Sequence, residues 1–303
     1  MNPARYVSLT DFATTFHEGG SALPSWVHPD AAAPAVLDTL GLRTRMEDVL
    51  DTVVALQRAE WLHDGVYAGP TAMPSVYRDV LHAARTLKIA VPPAILAGSG
   101  LKAQGAFGTD GRAFLYLSTF FFDPASDGER KFMAGRLCGL IAARQVTAST
   151  LYALLVDHHG IREMARKAVG PMLEVVLAPL SMGVRLALSR WHRAAEISAD
   201  RAGLLCCGDL EAAGRAMLRQ SLGRTPDVGV AAYLEQLKAS RTASNPGKWT
   251  ELLADQPFTH KRLQALDLFA RSEVYADWTG EPVADPLSRA ELDAQTSRLL
   301  GVS

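Results

Sequence analysis

The residues of this 303-residue chain best suited to chemistry lie between Trp191 and Cys207, where Glu196 and Asp200 stand four apart with Arg193 and Arg201 beside them. On a helix, two carboxylates at that spacing share a face. They are equipped to ligate a metal, or else to pair with the arginines along a solvated face. His158-His159, just before Gly160, are also metal-ligand types, though a histidine pair at a helix end more commonly meets the dipole and solvent. Cys138, Cys206 and Cys207 read as core residues, and the lone His192 and His260 assemble no Ser-His-Asp or Cys-His arrangement. The glycines from Gly98 to Gly111 match no phosphate-binding pattern opening a helix.

Positioning these groups requires a mostly helical frame. Ala33 to Leu40, Met46 to Leu62 and Pro74 to Lys88 carry helical apolar spacing, the last ending before Pro92-Pro93. Ala94 to Ala97, Ala103 to Gly108 and Ala113 to Thr119 are short apolar runs parted by turn residues, Thr109-Asp110-Gly111 among them. A small antiparallel sheet is expected. Ser126-Asp127-Gly128-Glu129 spells a capping box, so a long helix should start there and run as far as Leu155. An apolar helical pair covers 161 to 190. Helices over Trp191 to Cys207 and Leu210 to Leu222 follow, with Asp209 capping the second. Further helical stretches cover Val230 to Ala239 and Pro257 to Ser272, before a charged tail with one short helix near its end.

Order and motif together carry a resemblance. Arg193-Ala-Ala-Glu196-Ile-Ser-Ala-Asp200 follows a strand, a capped helix and an apolar insert. The capped helix reads Glu129-Arg-Lys-Phe-Met-Ala-Gly-Arg136-Leu137-Cys138-Gly139-Leu140. This resembles the zinc metallopeptidase family of the heat-shock protease HtpX and the CAAX prenyl proteases, in which an E-L-x-x-V-L-x-H-E-x-G-H helix supplies two histidine ligands and a glutamate base. A later E-x-x-x-D helix supplies the third ligand. The likeness runs from about Pro92 to Arg271, since Gln256-Pro257-Phe-Thr-His-Lys-Arg262 is similar to the family's H-P-x-x-x-x-R segment. The fold it implies is α+β and predominantly α-helical, with the small antiparallel sheet packed on a gluzincin-like helical peptidase core. Three regions follow: an N-terminal helical region over 1–90, a metallopeptidase-like domain over 91–272, and a C-terminal tail over 273–303.

Against that pattern Arg136 stands at the first histidine, Leu137 at the glutamate base and Leu140 at the second histidine, and Gln256 replaces a later histidine. Glu196 and Asp200 remain. A catalytic zinc needs about three protein ligands and a water, and leucine donates nothing. An arginine stays protonated and repels a divalent ion, while Leu137 leaves no carboxylate to deprotonate a water. A buried Glu196 without a metal needs a compensating charge. Arg136 is the natural one, with Asp200 as second acceptor.

The resemblance therefore implies a pseudopeptidase with no cofactor, working as a binding or scaffolding protein for a protein or peptide partner. Extended peptides add to the sheet edge in such proteins, and Ala113-Phe114-Leu115-Tyr116-Leu117 has the alternation for such an edge. Two alternatives stay open: an active zinc metallopeptidase whose unorthodox ligands join Glu196 to His158 or His159, and a purely structural oligomer subunit. Oligomerisation would use the apolar 161–190 region.

Composition narrows the classes further. Lys+Arg 31 against Asp+Glu 32 leaves a net charge of −1, without the basic field that gathers nucleic acid. No signal-peptide pattern opens the chain. Ala168 to Leu188 is interrupted by Glu174, Arg185, Pro171 and Pro179, so it reads as buried helix and no transmembrane span is expected. Three cysteines form no disulfide framework, and the cytoplasm is the expected location.

Overall fold

The computed structural model describes residues 23–32, 61–98, 104–156, 182–223, 229–240 and 259–301, together with helical residues at 52, 55, 58 and 59. Four strands form one sheet: β1 (Gly65–Tyr67), β2 (Ala94–Ala97), β3 (Gly105–Phe107) and β4 (Phe114–Ser118), in the order β1-β2-β4-β3. The fold is α+β and predominantly helical, but the sheet is mixed: β2 and β4 run parallel, while β1–β2 and β3–β4 are antiparallel. The all-antiparallel expectation fails because turn signals report only sequence neighbours. Strands buried along their whole length, as β2 and β4 are, suit a parallel pair covered on both faces.

This order also corrects the expected peptide edge. Phe114, Leu115, Tyr116 and Leu117 lie in β4, hydrogen-bonded to strands on both sides, and they and Ala113 are buried. The outer strands are β1, with Val66 and Tyr67 exposed, and β3. Periodicity alone does not separate an edge from an interior strand.

The β3–β4 turn is tied to the helical layer. The Asp110 carboxylate accepts the N–H groups of Val146 at 2.9 Å and Thr147 at 3.3 Å, while Thr147 Oγ1 accepts the Asp110 N–H at 2.9 Å. A residue read as a turn former thus also satisfies the free donors opening a helix.

Helix α1 (Pro74–Thr86) and the start of α3 (Asp127–Ala142) fall where expected, with the capping box at Ser126 and Glu129 present, while the short α2 (Thr119–Phe122) between β4 and α3 had no sequence signal. The helix does not continue to Leu155. It breaks at Arg144, whose φ is 54°, and α4 (Val146–Val156) departs at 103° to α3. A non-glycine residue in the left-handed region ends a helix. Among the described residues no single helix is long and apolar enough to cross a membrane.

The remaining helices are α5 (Met182–Cys207), α6 (Leu210–Leu222), α7 (Val230–Ser240), α8 (Thr259–Ala270), α9 (Glu273–Thr279) and α10 (Arg289–Leu300). The expected helix over Ala33 to Leu40, and most of the apolar 161–190 region, lie outside the described residues. The segment beyond Glu281 packs on the core through Leu292 and Leu300. It holds α10, capped by Ser288 and Glu291, and Arg201 of α5 reaches Asp293 and Thr296 on it.

Candidate functional site

The site grows from the crossing of α3 and α5, the most extensively packed helix pair among the described residues. Small residues set its closeness. A Cβ added to Gly139 would lie 2.5 Å from the Ala202 Cβ, and one added to Gly135 would lie 2.5 Å from the Cys206 Cβ. No larger residue fits at either position without parting the helices.

Arg136 sits between these two glycines in sequence. Its Nη2 donates to Glu196 Oε2 and its Nε to Asp200 Oδ1 at 2.7 Å. From α8, Arg262 adds two bonds to the same aspartate, Nε to Oδ2 at 2.8 Å and Nη2 to Oδ1 at 2.7 Å. The four side chains are buried and Asp200 is wholly so. Two cations and two anions cancel, and Asp200 takes three charge-assisted bonds, which is how ions are tolerated away from water.

Burial by itself raises the pKa of Glu196 and is the largest single influence. The combined fields of Arg136, His192 and Arg262 outweigh it, and the carboxyl is held at about 2 against an ordinary 4.5. Glu196 is thus ionised at neutral pH. Burial opposes the charge on Arg262 as well, but Asp200 and then Glu196 raise its affinity for the proton.

A second buried pair anchors the start of α3. Arg219 of α6 donates through Nη2 to both Glu129 oxygens at 3.2 Å, and the same carboxylate accepts the Ser126 N–H at 2.7 Å. Glu129 therefore joins the helix cap to the α3–α6 contact.

The structure brings together Arg136, Glu196 and Asp200 as expected, and it rules out the solvated-face reading of α5. Arg193, Glu196, Asp200 and Arg201 are all buried. Leu137 and Leu140 are buried hydrocarbons on the helix that bears Arg136. Cys138 is fully buried, and desolvation pushes its thiol up to about 12. His158 and His159 lie outside the described residues.

Arg262 was visible in the sequence only as the arginine of the Gln256 to Arg262 segment, with no hint of its partner. Arg219 carried no signal at all, because a 90-residue separation from Glu129 leaves no pattern. His192, dismissed as a lone histidine, stacks on Tyr152 at 4.2 Å between ring centroids, with its Nε2 4.0 Å from Glu196 Oε1.

Among the described residues, those at this site do not fit zinc. Both carboxylates are engaged by guanidinium groups that carry fixed positive charge, and the neighbouring Leu137 and Leu140 donate nothing. Among the described residues no three His, Cys, Asp or Glu side chains gather into a group able to hold a metal ion.

Comparison with known proteins adds one finding on the family. Residues 137–270, from Leu137 in the last part of α3 to the end of α8, match the model of peptidase family M48. No curated protein and no solved structure matches the chain.

Proposed function

We propose that this chain, whose residues 137–270 match a peptidase family, is a catalytically inactive relative of the zinc metallopeptidases that works as a peptide- or protein-binding scaffold in the cytoplasm. The observation that carries the reading is the Arg136 guanidinium bonded to both Glu196 and Asp200. A carboxylate at the family's third ligand position is neutralised from within, and no base stands beside it at position 137 to activate water. The Glu196 charge is balanced by a guanidinium instead of a metal.

Binding outlives hydrolysis because it draws on other parts of the fold. With β4 interior, exposed apolar side chains elsewhere support a partner: Val66 and Tyr67 on the outer strand β1, Phe120 on α2 and Leu222 at the end of α6. Three free cysteines agree with a reducing compartment.

The test is metal content of the purified, tag-free protein by plasma mass spectrometry after zinc exposure and dialysis, with peptide hydrolysis measured on the same sample. Less than about a tenth of an equivalent and no cleavage are expected. Near one equivalent, removed by chelator and lost in Glu196→Ala, overturns the reading in favour of an active enzyme with unorthodox ligands. A displayed-peptide selection on the same protein should converge on a shared motif. Failure to converge overturns the binding role in favour of a structural subunit.

A further inference from the structure

The segment 23–32 crosses α5 on the side away from Asp200. Helical rotation of about 100° per residue places Ser198 and Asp200 on different sides of that helix. Along the crossing, His28 N–H donates to Ser198 Oγ at 3.0 Å and Arg201 Nη1 donates to the Trp26 carbonyl at 3.2 Å. The Ala31 carbonyl accepts from Trp191 Nε1 at 3.2 Å and from Gln145 Nε2 at 2.8 Å. Trp278 Nε1 donates to Ser25 Oγ at 2.8 Å from the other side. The segment is a strap held between α5 and the C-terminal helices, and its own Trp26 and Ala31 are wholly buried.

One titratable ring sits at its centre. The His28 side chain is 1% exposed. Its Nδ1 accepts the Asp30 N–H at 3.2 Å, opening the short 3-10 turn Pro29–Ala31. A neutral imidazole whose Nδ1 accepts must carry its proton on Nε2, which faces the Asp293 carbonyl at 3.4 Å and Ser297 Oγ at 3.3 Å. The acceptor role of Nδ1 is one that only the neutral ring fills, whereas Nε2 can donate in either protonation state.

We infer that the strap is an acid-sensitive latch: a second proton on His28 deprives the Asp30 N–H of its acceptor and unseats residues 23–32 from α5 while the α3–α5 core stays folded. The charged groups around the ring decide the direction. Arg201 of α5 opposes a second cation, whereas Asp293 of α10 and Asp30 of the strap favour one. Asp293 is already engaged by Arg201 at 3.3 Å and approached by Arg289 at 3.8 Å, and Asp30 is half exposed. Burial and then Arg201 outweigh the two carboxylates and hold the imidazole below its ordinary 6.5. Protonation therefore favours the open strap, and each pH unit below 6.5 multiplies the opening constant by up to about tenfold. The latch involves none of the Arg136, Glu196, Asp200 and Arg262 network, and its test stands apart from that of the pseudopeptidase reading.

Hydrogen exchange followed by mass spectrometry on the full chain between pH 7.5 and 5.0, corrected for the intrinsic pH dependence, reads the opening directly. Amides within 24–32 should lose protection about tenfold or more across that range while α3 and the centre of α5 keep theirs. His28→Gln, whose amide supplies an acceptor and a donor without titrating, should flatten the profile. Asp30→Asn, at a half-exposed position that leaves the backbone donor in place, should enlarge the acid response by removing a carboxylate that favours the charged ring. Strap protection unchanged down to pH 5, an equal acid response in His28→Gln, or an Asp30→Asn profile that moves the opposite way overturns the latch.

Discussion

Arg136 Nε lies 2.7 Å from Asp200 Oδ1 across the α3–α5 crossing, and that oxygen also accepts from Arg262 Nη2. One aspartate thus joins three helices, α3, α5 and α8, through two guanidinium groups. The same Arg136 reaches back one turn to Glu196. Removal of any member leaves a charge buried without its counterpart, so the network behaves as a unit.

Arg136→Ala should therefore cost about 3–5 kcal/mol of stability, the range for breaking a buried pair. Arg271→Ala, at an exposed arginine paired with Asp267 on its own helix, should cost less than about 1 kcal/mol. Denaturant unfolding of the two variants side by side makes the comparison. Equal, small losses would show that Arg136 does not neutralise Glu196.

Gly139→Ala should destabilise by about 1–3 kcal/mol, because the new methyl lands 2.5 Å from the Ala202 Cβ and pushes α3 off α5. The compensating change Ala202→Gly in the same chain should recover much of the loss. A double-mutant cycle on thermal unfolding checks the coupling, and additive losses would contradict direct contact.

Acid should weaken the fold through Glu196. Its folded-state value, about 2, lies below the ordinary 4.5, so the stabilisation is complete above 4.5 and is lost as pH falls from 4.5 towards 2. The loss should be on the order of a few kcal/mol, and Glu196→Gln should lower stability at neutral pH yet flatten this limb. Unfolding free energies from pH 6 to 2.5 read both effects. The window lies below that of His28, whose influence begins near 6.5.

The thiols should react slowly. Burial pushes Cys138 up to about 12 and Cys207 to about 11, and at pH 8 little of either is thiolate. A chromogenic disulfide reagent should label the native protein far more slowly than the urea-unfolded chain, beginning at the partly exposed Cys207. Rapid labelling of Cys138 in the native state would mean that α3 opens readily.

The sequence by itself determined the local devices. Ser126 and Glu129 cap α3, Asp209 caps α6, and Thr109-Asp110-Gly111 turns β3 into β4, each through groups a few residues apart. It also determined that Arg136, Leu137 and Leu140 offer no group that ligates zinc, since donor chemistry is a property of the residue and not of the fold. The meeting of Arg136 with Glu196 and Asp200 was legible because one helix carries both carboxylates at helical spacing and a buried charge demands an opposite one. Tertiary structure decided the rest. The parallel β2–β4 pair, the interior place of Phe114 to Leu117, Arg262 on Asp200 and the strap across α5 all join residues far apart in the chain. Their choice of partner depends on which buried surfaces are left to match once the helices have packed, and no spacing in the sequence encodes it.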